Sequence, residues 1–199
     1  LPKLDAKRSL VPVSGKTFVP ADTRSLRAAW DASQKQSAED YLIDWHLIGP
    51  FPARPNGCDG LSLETGVESK LGRGGAVDLE APFKVAGATL RWQPALANRR
   101  GYVDLGKLLG KVEWAVAYAY AEVDSVHARD AILRCGSDDG IKIWVNGRVV
   151  HHHEVGRAYR PDSDSVPVRL EAGRNRILVK VDNYHGGWGF GVAIGKPMF

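Results

Sequence analysis

Two adjacent aspartates, Asp138 and Asp139, are the side chains of this chain that are best suited to bind a ligand. They lie in an acidic turn, residues 137–140 (SDDG), directly before a segment of alternating polarity. Carboxylate oxygens are hard ligands, and Ca²⁺ takes six to eight such oxygens. Asp138 and Asp139 are therefore the candidate Ca²⁺ ligands. The alternative is that Ser137 and Asp138 only hydrogen-bond backbone amides in an Asx-type turn. The sequence identifies no second loop that would supply the other Ca²⁺ ligands.

A second polar group, residues 182–188 (DNYHGGW), lies between two predicted strands. It contains the aromatic and planar polar side chains that sugar sites combine, in the kind of loop where binding residues concentrate. Trp188 also shares a strand face with Phe190, which favours a position in the core. The predicted carbohydrate-binding residues are Asp138, Asp139, Asn183, Tyr184 and Trp188.

Three consecutive histidines, His151, His152 and His153, suggest a second metal site. In a strand His151 and His153 point the same way and could share an ion. The sequence identifies no third ligand, so we expect exposed strand histidines instead. Cys58 and Cys135 lack the spacing of metal ligands, and the sequence leaves open whether they form a disulfide or remain two separate thiols.

No motif of catalysis occurs in the chain: GxSxG, HExxH, GxxxxGK[ST] and CxxC are all absent. We therefore predict no catalytic residues and no enzyme activity. A pair of catalytic carboxylates stays open as an alternative, because a sequence does not report the distance between two carboxyl groups.

The composition is that of an ordinary globular protein, with 199 residues, 44% hydrophobic and 25% charged. The net charge of +4 is spread along the chain, without the basic runs between aromatics that nucleic-acid grooves need. No apolar segment is long enough to span a membrane, and the N-terminus has no signal-peptide core. We therefore expect neither a nucleic-acid partner nor a membrane span.

Short alternating segments separated by turns predict an all-β fold, either a β-sandwich or a barrel. The clearest strand is residues 114–123, with alternating aromatics and alanines, although its alanines also suit a helix. Asn146 and Gly147 predict a type I′ hairpin. Trp144, beside them, is expected to be exposed or covered by the N-terminal arm. We divide the chain into an extended arm with one short helix, residues 1–40, and a sandwich domain, residues 41–199.

Four segments in this order resemble a known family: residues 41–51 (YLIDWHLIGPF), 136–151 (GSDDGIKIWVNGRVVH), 170–183 (LEAGRNRILVKVDN) and 186–194 (GGWGFGVAI). They resemble the non-catalytic jelly-roll domains attached to secreted bacterial polysaccharide-degrading enzymes, and are similar to the sugar-binding β-sandwich of the protective-antigen type. The resemblance implies a jelly-roll-like β-sandwich and a secreted or cell-surface location. It also implies a glycan and the catalytic domain of a parent protein as partners, with Ca²⁺ held by neighbouring aspartates.

Three functions follow from these patterns, and the first is the main prediction. It is a carbohydrate-binding module accessory to a larger secreted polysaccharide-processing protein. The second is a structural or protein-interaction sandwich without a glycan site. The third is a polysaccharide lyase or hydrolase subunit.

Overall fold

The computed structural model describes residues 41–53, 60–85 and 87–195, and shows an all-β sandwich. This confirms the predicted fold class. The predicted arm and its helix, residues 1–40, and Cys58 lie outside the described residues, so the division into two parts stays a prediction. Within the described ranges, no helix has the length and apolar character needed to cross a membrane.

Twelve strands, one short α-helix, α1, and three 3₁₀-helices, Gly60–Ser62, Glu68–Lys70 and Arg73–Gly75, make up the regular structure of the described residues. In chain order the strands and α1 are β1 (Asp44–Pro52), β2 (Phe83–Val85), β3 (Ala88–Leu90), β4 (Gln93–Leu96), β5 (Tyr102–Asp104), α1 (Leu105–Leu109), β6 (Ala115–Ser125), β7 (Arg129–Asp138), β8 (Ile141–Val145), β9 (Arg148–His153), β10 (Asp164–Leu170), β11 (Gly173–Asn183) and β12 (Gly189–Gly195).

The strands form a six-stranded sheet, β4-β1-β6-β11-β8-β9, and a four-stranded sheet, β10-β7-β12-β5, with a small β2-β3 hairpin beside them. The pairs within the sheets are antiparallel, as in sandwiches built from hairpins and longer crossovers. Asn146 and Gly147 both have positive φ, 51° and 80°, and connect β8 to β9. The predicted hairpin is confirmed, because a type I′ turn needs positive φ at both residues.

Strand β6 shows how the sequence fills two layers. Its alanines, Ala115, Ala117, Ala119 and Ala121, belong to the core between the two sheets, together with Trp45, Phe190 and the inward side chains of β11 and β12. Small side chains in the middle strand leave room for these larger partners. The helical alternative for this segment is wrong, because its alternation places both faces of an extended strand in apolar surroundings.

The other face of the six-stranded sheet carries a second apolar cluster. Tyr118 and Tyr120 of β6 join Trp144 of β8 there, with Phe83 and Trp92 from the segment 60–92. Trp144 is 6% exposed. Trp144 is thus covered, in a cluster that contains residues of β1, β6 and β11 as well as of this segment, and the expectation that it is exposed is wrong.

Two prolines, Pro50 and Pro94, lie inside strands of the six-stranded sheet. Strand β1 continues through Pro50 to Pro52, with a shift in its pairing to β6 between Ile48 and Phe51. A shift of this kind accommodates a residue without an N–H group. Pro94 lies in β4, at the edge of its sheet, where no neighbouring strand requires its missing donor.

Candidate functional site

The acidic turn lies at one end of the sandwich, where it holds two loops in place. Asp139 is 6% exposed, and its two carboxylate oxygens accept backbone N–H groups from different loops. The N–H of Arg157 donates to Oδ1 at 3.0 Å, and the N–H of Tyr184 donates to Oδ2 at 2.7 Å. Asp139 therefore has a structural role in positioning the loops that follow β9 and β11.

Asp138 is the more accessible member of the pair. Its Oδ2 accepts the N–H of Tyr159 at a long 3.4 Å, and the peptide bond to Asp139 is cis. Burial raises the pKa of the Asp138 carboxyl above its usual value, the Tyr159 N–H lowers it, and the charge of Asp139 raises it further. This half-buried carboxylate is thus the member of the pair that remains available to a ligand.

A third carboxyl, that of Asp182, lies behind the turn and is 1% exposed. Its Oδ1 accepts the N–H of Gly140 at 2.7 Å. Burial raises the pKa of Asp182 to about 6, the Gly140 N–H opposes the rise, and the charge of Asp139 adds to it. The turn is therefore surrounded by acidic groups that folding brings close together.

The arrangement does not complete a Ca²⁺ shell. Within the described ranges, one group of His, Cys, Asp or Glu side chains places three ligand atoms within 4.8 Å of one another. Neither Asp138 nor Asp139 belongs to that group. Both oxygens of Asp139 already accept backbone amides. Since Ca²⁺ needs six to eight oxygens, the side chains of this pair alone do not hold it.

A groove of about 850 Å³ opens beside the turn, between α1 and the loop after β11. Exposed charges of both signs, Asp104, Lys107, Lys111 and Glu113, line it together with Asn183. Asn183 is 2% exposed. Its Nδ2 donates to the carbonyl of Val112 at 2.6 Å, while its buried Oδ1 has no hydrogen-bond partner. A buried acceptor without a partner is costly unless a ligand or water satisfies it.

An aromatic group lies on the same two segments, next in sequence to the groove residues Glu113, Asn183 and Gly186. Trp114 and Tyr184 stack with ring centroids 5.7 Å apart and an interplanar angle of 30°, and His185 packs edge-on against Trp114 at 4.9 Å. Trp114 and Tyr184 are half-buried and His185 is exposed. The structure thus places the predicted residue Tyr184 in an accessible aromatic group.

Trp114 is a residue that the sequence reasoning missed. The alternation of residues 114–123 placed it on a strand face, whereas β6 begins at Ala115 and Trp114 has φ of 52°. A side chain in this left-handed conformation leaves the face pattern of the strand. The preceding Gly110, Lys111 and Glu113 were the available signal that the strand begins later.

Trp188 is corrected in the opposite direction. Its side chain is 2% exposed and belongs to the core between the sheets, with Phe190 and Val192. It cannot offer a ring face to a sugar, although the residue borders the groove. The strand pattern that favoured a core position for Trp188 was the correct interpretation.

Comparison with known proteins gives only distant likeness. No family model matches the chain, and no curated protein matches it. Among solved structures, the PA14 domain of the antifreeze protein MpAFP is similar with a TM-score of 0.41 and 16% identity, covering 77% of this chain and 80% of that one. The PA14 sugar-binding domain from an RTX adhesin is similar with a TM-score of 0.36 and 13% identity, covering 77% and 89%.

A β-glucosidase from Kluyveromyces marxianus is similar with a TM-score of 0.37 and 14% identity. The match covers 54% of this chain, which spans only 14% of that enzyme. The structural neighbours thus include two PA14 domains, of which the adhesin domain is described as sugar-binding, and part of a glycosidase. At these identities and TM-scores, the similarities carry no argument about the ligand or the activity of this chain.

Proposed function

We propose that this sandwich is a non-catalytic carbohydrate-binding module whose glycan lies in the groove beside the acidic turn. The observation that carries the proposal is Asn183. Its buried Oδ1 has no partner within the part of the chain that the structure describes, and the residue lines a groove whose lining residues are next in sequence to accessible aromatic rings. A sugar hydroxyl is a donor of the right kind to satisfy this oxygen.

The groove supplies the two kinds of contact that sugar binding needs. The Trp114–Tyr184 pair offers apolar ring surface for the C–H face of a sugar. Asn183 and Asp104 supply acceptors for hydroxyl groups, and Lys107 and Lys111 supply donors. Asp138, whose Oδ2 lies against the groove residue Gly187, adds a further acceptor at its border. This mixture of charges suits a neutral or zwitterionic glycan better than a strongly anionic one.

Calcium belongs to the proposal as a second component. The charge of Asp139 raises the pKa of both Asp138 and Asp182, so a cation at this turn would relieve the repulsion. The side chains do not form a complete shell, so glycan hydroxyls or water would have to supply the remaining oxygens. We therefore expect any Ca²⁺ effect to depend on the presence of glycan.

The module is also proposed to be accessory to a catalytic domain of a secreted parent protein. Support for this part comes from the sequence resemblance of residues 41–51, 136–151, 170–183 and 186–194 to such domains. To test this part, the parent polypeptide is identified, and the medium of cells that produce it is assayed for the secreted protein. An intracellular parent without a catalytic domain would contradict this part alone.

Binding is tested on a glycan array and by affinity gels containing polysaccharides, each with Ca²⁺ and with chelator. Trp114→Ala is expected to weaken binding at least tenfold, about 1.4 kcal/mol, through lost stacking. Val126→Ala is the matched control, because Val126 is 86% exposed and follows the opposite end of β6. No retention of the wild type on any glycan, with or without Ca²⁺, would refute the proposal.

The two aspartates separate a binding role from a structural one. Asp138→Ala is expected to abolish binding and leave the melting temperature nearly unchanged, since its single backbone contact is long. Asp139→Ala is expected to lower the melting temperature, because two loop amides lose their acceptor. If Asp138→Ala lowers stability and leaves binding intact, the assigned site is wrong, and this result favours the alternative of a structural domain.

A further inference from the structure

His151 of β9 is mostly buried rather than exposed as the sequence suggested, whereas His152 is exposed and His153 is partly exposed. In the pairing of β8 with β9, His151 lies opposite Ile143 and His153 opposite Ile141, and both isoleucines belong to the core. Residues opposite each other on antiparallel strands share a face, so both histidines point toward the space between the two sheets. Only 16% of the His151 side chain is exposed.

The neighbouring edge of the other sheet supplies two further ligand types. Cys135 of β7 and Asp164 of β10 are direct partners in the strand pairing, and Cys135 is fully buried. Asp164 Oδ2 lies 3.3 Å from His151 Nε2, and Asp164 Oδ1 lies 3.1 Å from His153 Nδ1. Ligand atoms of Cys135, His151 and Asp164 all lie within 4.8 Å of one another.

We propose that Cys135, His151 and Asp164 hold a zinc ion that joins the two sheets at this edge of the sandwich, with His153 rotating in from Asp164 Oδ1 as the fourth ligand. Zinc bond lengths of about 2.0 to 2.3 Å place tetrahedral ligand atoms about 3.3 to 3.6 Å apart, close to the 3.3 Å between His151 Nε2 and Asp164 Oδ2. The residue types select Zn²⁺, because imidazole and thiolate suit it and a thiolate does not suit Ca²⁺ or Mg²⁺. Four protein ligands make the site structural, without an open position for substrate.

The state of His151 supports the assignment. Its Nε2 is buried, and its nearby polar contact, Asp164 Oδ2 at 3.3 Å, does not have hydrogen-bond geometry. A buried imidazole nitrogen that makes no hydrogen bond is a group that a metal ion would satisfy.

The positive charge of Arg157 disfavours a cation at this site. Its Nη2 lies 2.5 Å from Asp164 Oδ2 and 2.9 Å from Ser137 Oγ, and its Nη1 lies 3.3 Å from Asp164 Oδ1. A metal-bound carboxylate commonly keeps such an outer partner, which orients it. The thiolate formed at Cys135 when the metal displaces its proton supplies the negative charge that offsets the guanidinium.

The test uses the full chain, stripped with chelator and titrated with Zn²⁺ by calorimetry, and with Co²⁺ as a spectroscopic probe. We expect one equivalent of Zn²⁺, a higher melting temperature, and a sulfur-to-cobalt charge-transfer band. Cys135→Ser should abolish the band, and Cys58→Ser should leave it. His151→Ala should weaken binding more than about 100-fold, beyond the effect of losing an outer partner.

The matched control is His152→Ala, because His152 lies between the two proposed ligands, is exposed, and pairs with Glu154 at 3.1 Å. It should bind Zn²⁺ as the wild type does. Circular dichroism and thermal melting of the metal-free protein show whether each variant folds. If a variant does not fold, Asp164→Asn is tested in its place. No Zn²⁺ binding by the wild type overturns the proposal, as does a Cys135→Ser variant with unchanged binding or an equal loss in His152→Ala or Cys58→Ser.

Discussion

Lys180 of β11 is expected to fix the segment 60–70 onto the outer face of the six-stranded sheet. Its side chain is fully buried, and Nζ donates to the carbonyls of Leu61 and Leu63 at 3.0 and 2.6 Å and to Glu68 Oε1 at 3.0 Å. Burial lowers the pKa of Lys180, and the charge of Glu68 opposes this shift. Lys180→Met keeps the unbranched chain as far as Cε and removes the ammonium group with all three hydrogen bonds.

The expected cost follows from the groups that the variant leaves behind. Removing one partner of a buried ion pair costs about 3 to 5 kcal/mol. Glu68 is 24% exposed, so water reaches it in the variant and the lower limit applies. We therefore expect a loss of about 3 kcal/mol in the free energy of unfolding, which is roughly a 100-fold change in the folding equilibrium. The melting temperature should fall by about 6 to 12 °C.

Urea unfolding followed by tryptophan fluorescence measures this loss, and amide hydrogen exchange shows whether residues 61–71 open first. Lys142→Met is the matched control. Lys142 is paired with Lys180 on the neighbouring strand but is only half-buried, so its replacement should cost less than about 0.5 kcal/mol. Adding Glu68→Gln to Lys180→Met should recover part of the loss. A Lys180→Met variant as stable as Lys142→Met would refute the reasoning.

Three further substitutions test other contacts. The pKa of Asp182 is raised to about 6, so its contribution to stability is complete below about pH 4 and is lost as the pH rises through 6. Asp182→Asn should therefore stabilise the protein by about 2 to 3 kcal/mol at pH 7.5 and by little at pH 4. Asn175→Ala should cost about 3 kcal/mol, because this fully buried side chain bonds Asn146 and three backbone groups. Gly136→Ala should cost about 1 to 3 kcal/mol, since its Cβ would lie 1.9 Å from the Arg160 carbonyl oxygen.

Denaturant unfolding at the stated pH values checks all three, with the exposed-site variant Val126→Ala as the common control. A parallel pH dependence for wild type and Asp182→Asn would show that this carboxyl does not titrate as inferred. Losses below about 0.5 kcal/mol for Asn175→Ala or Gly136→Ala would contradict the contacts described for them.

The fold was predictable because its signals are local. Alternation in β6 and β11, and the positive φ that Asn146 and Gly147 tolerate, depend on neighbours in the chain rather than on distant contacts. The interpretation of Trp188 as a core residue also follows from this alternation. Strand ends were less predictable, because Pro50 and Pro94 are accommodated by a pairing shift and by an edge position that only the assembled sheet provides.

The candidate sites were only partly predictable. Asp138, Asn183 and Tyr184 come from the sequence, but Trp114 joins them because the chain leaves the strand pattern just before Ala115. Cys135 lies beside Asp164 because β7 pairs with β10, and β8 and β9 lie between these two strands in the chain. No local spacing could have indicated that contact.

The sequence by itself determined the all-β sandwich, the hairpin at Asn146 and the acidic turn, because side-chain alternation and turn chemistry act over a few residues. Only the tertiary structure decided what the turn and the histidines face. It directs Asp139 into loop amides, leaves Asn183 Oδ1 beside a groove, and turns His151 inward toward Asp164. The physical reason is that burial, desolvation and partnership depend on which strands become neighbours, and the packing of the two sheets fixes those neighbours.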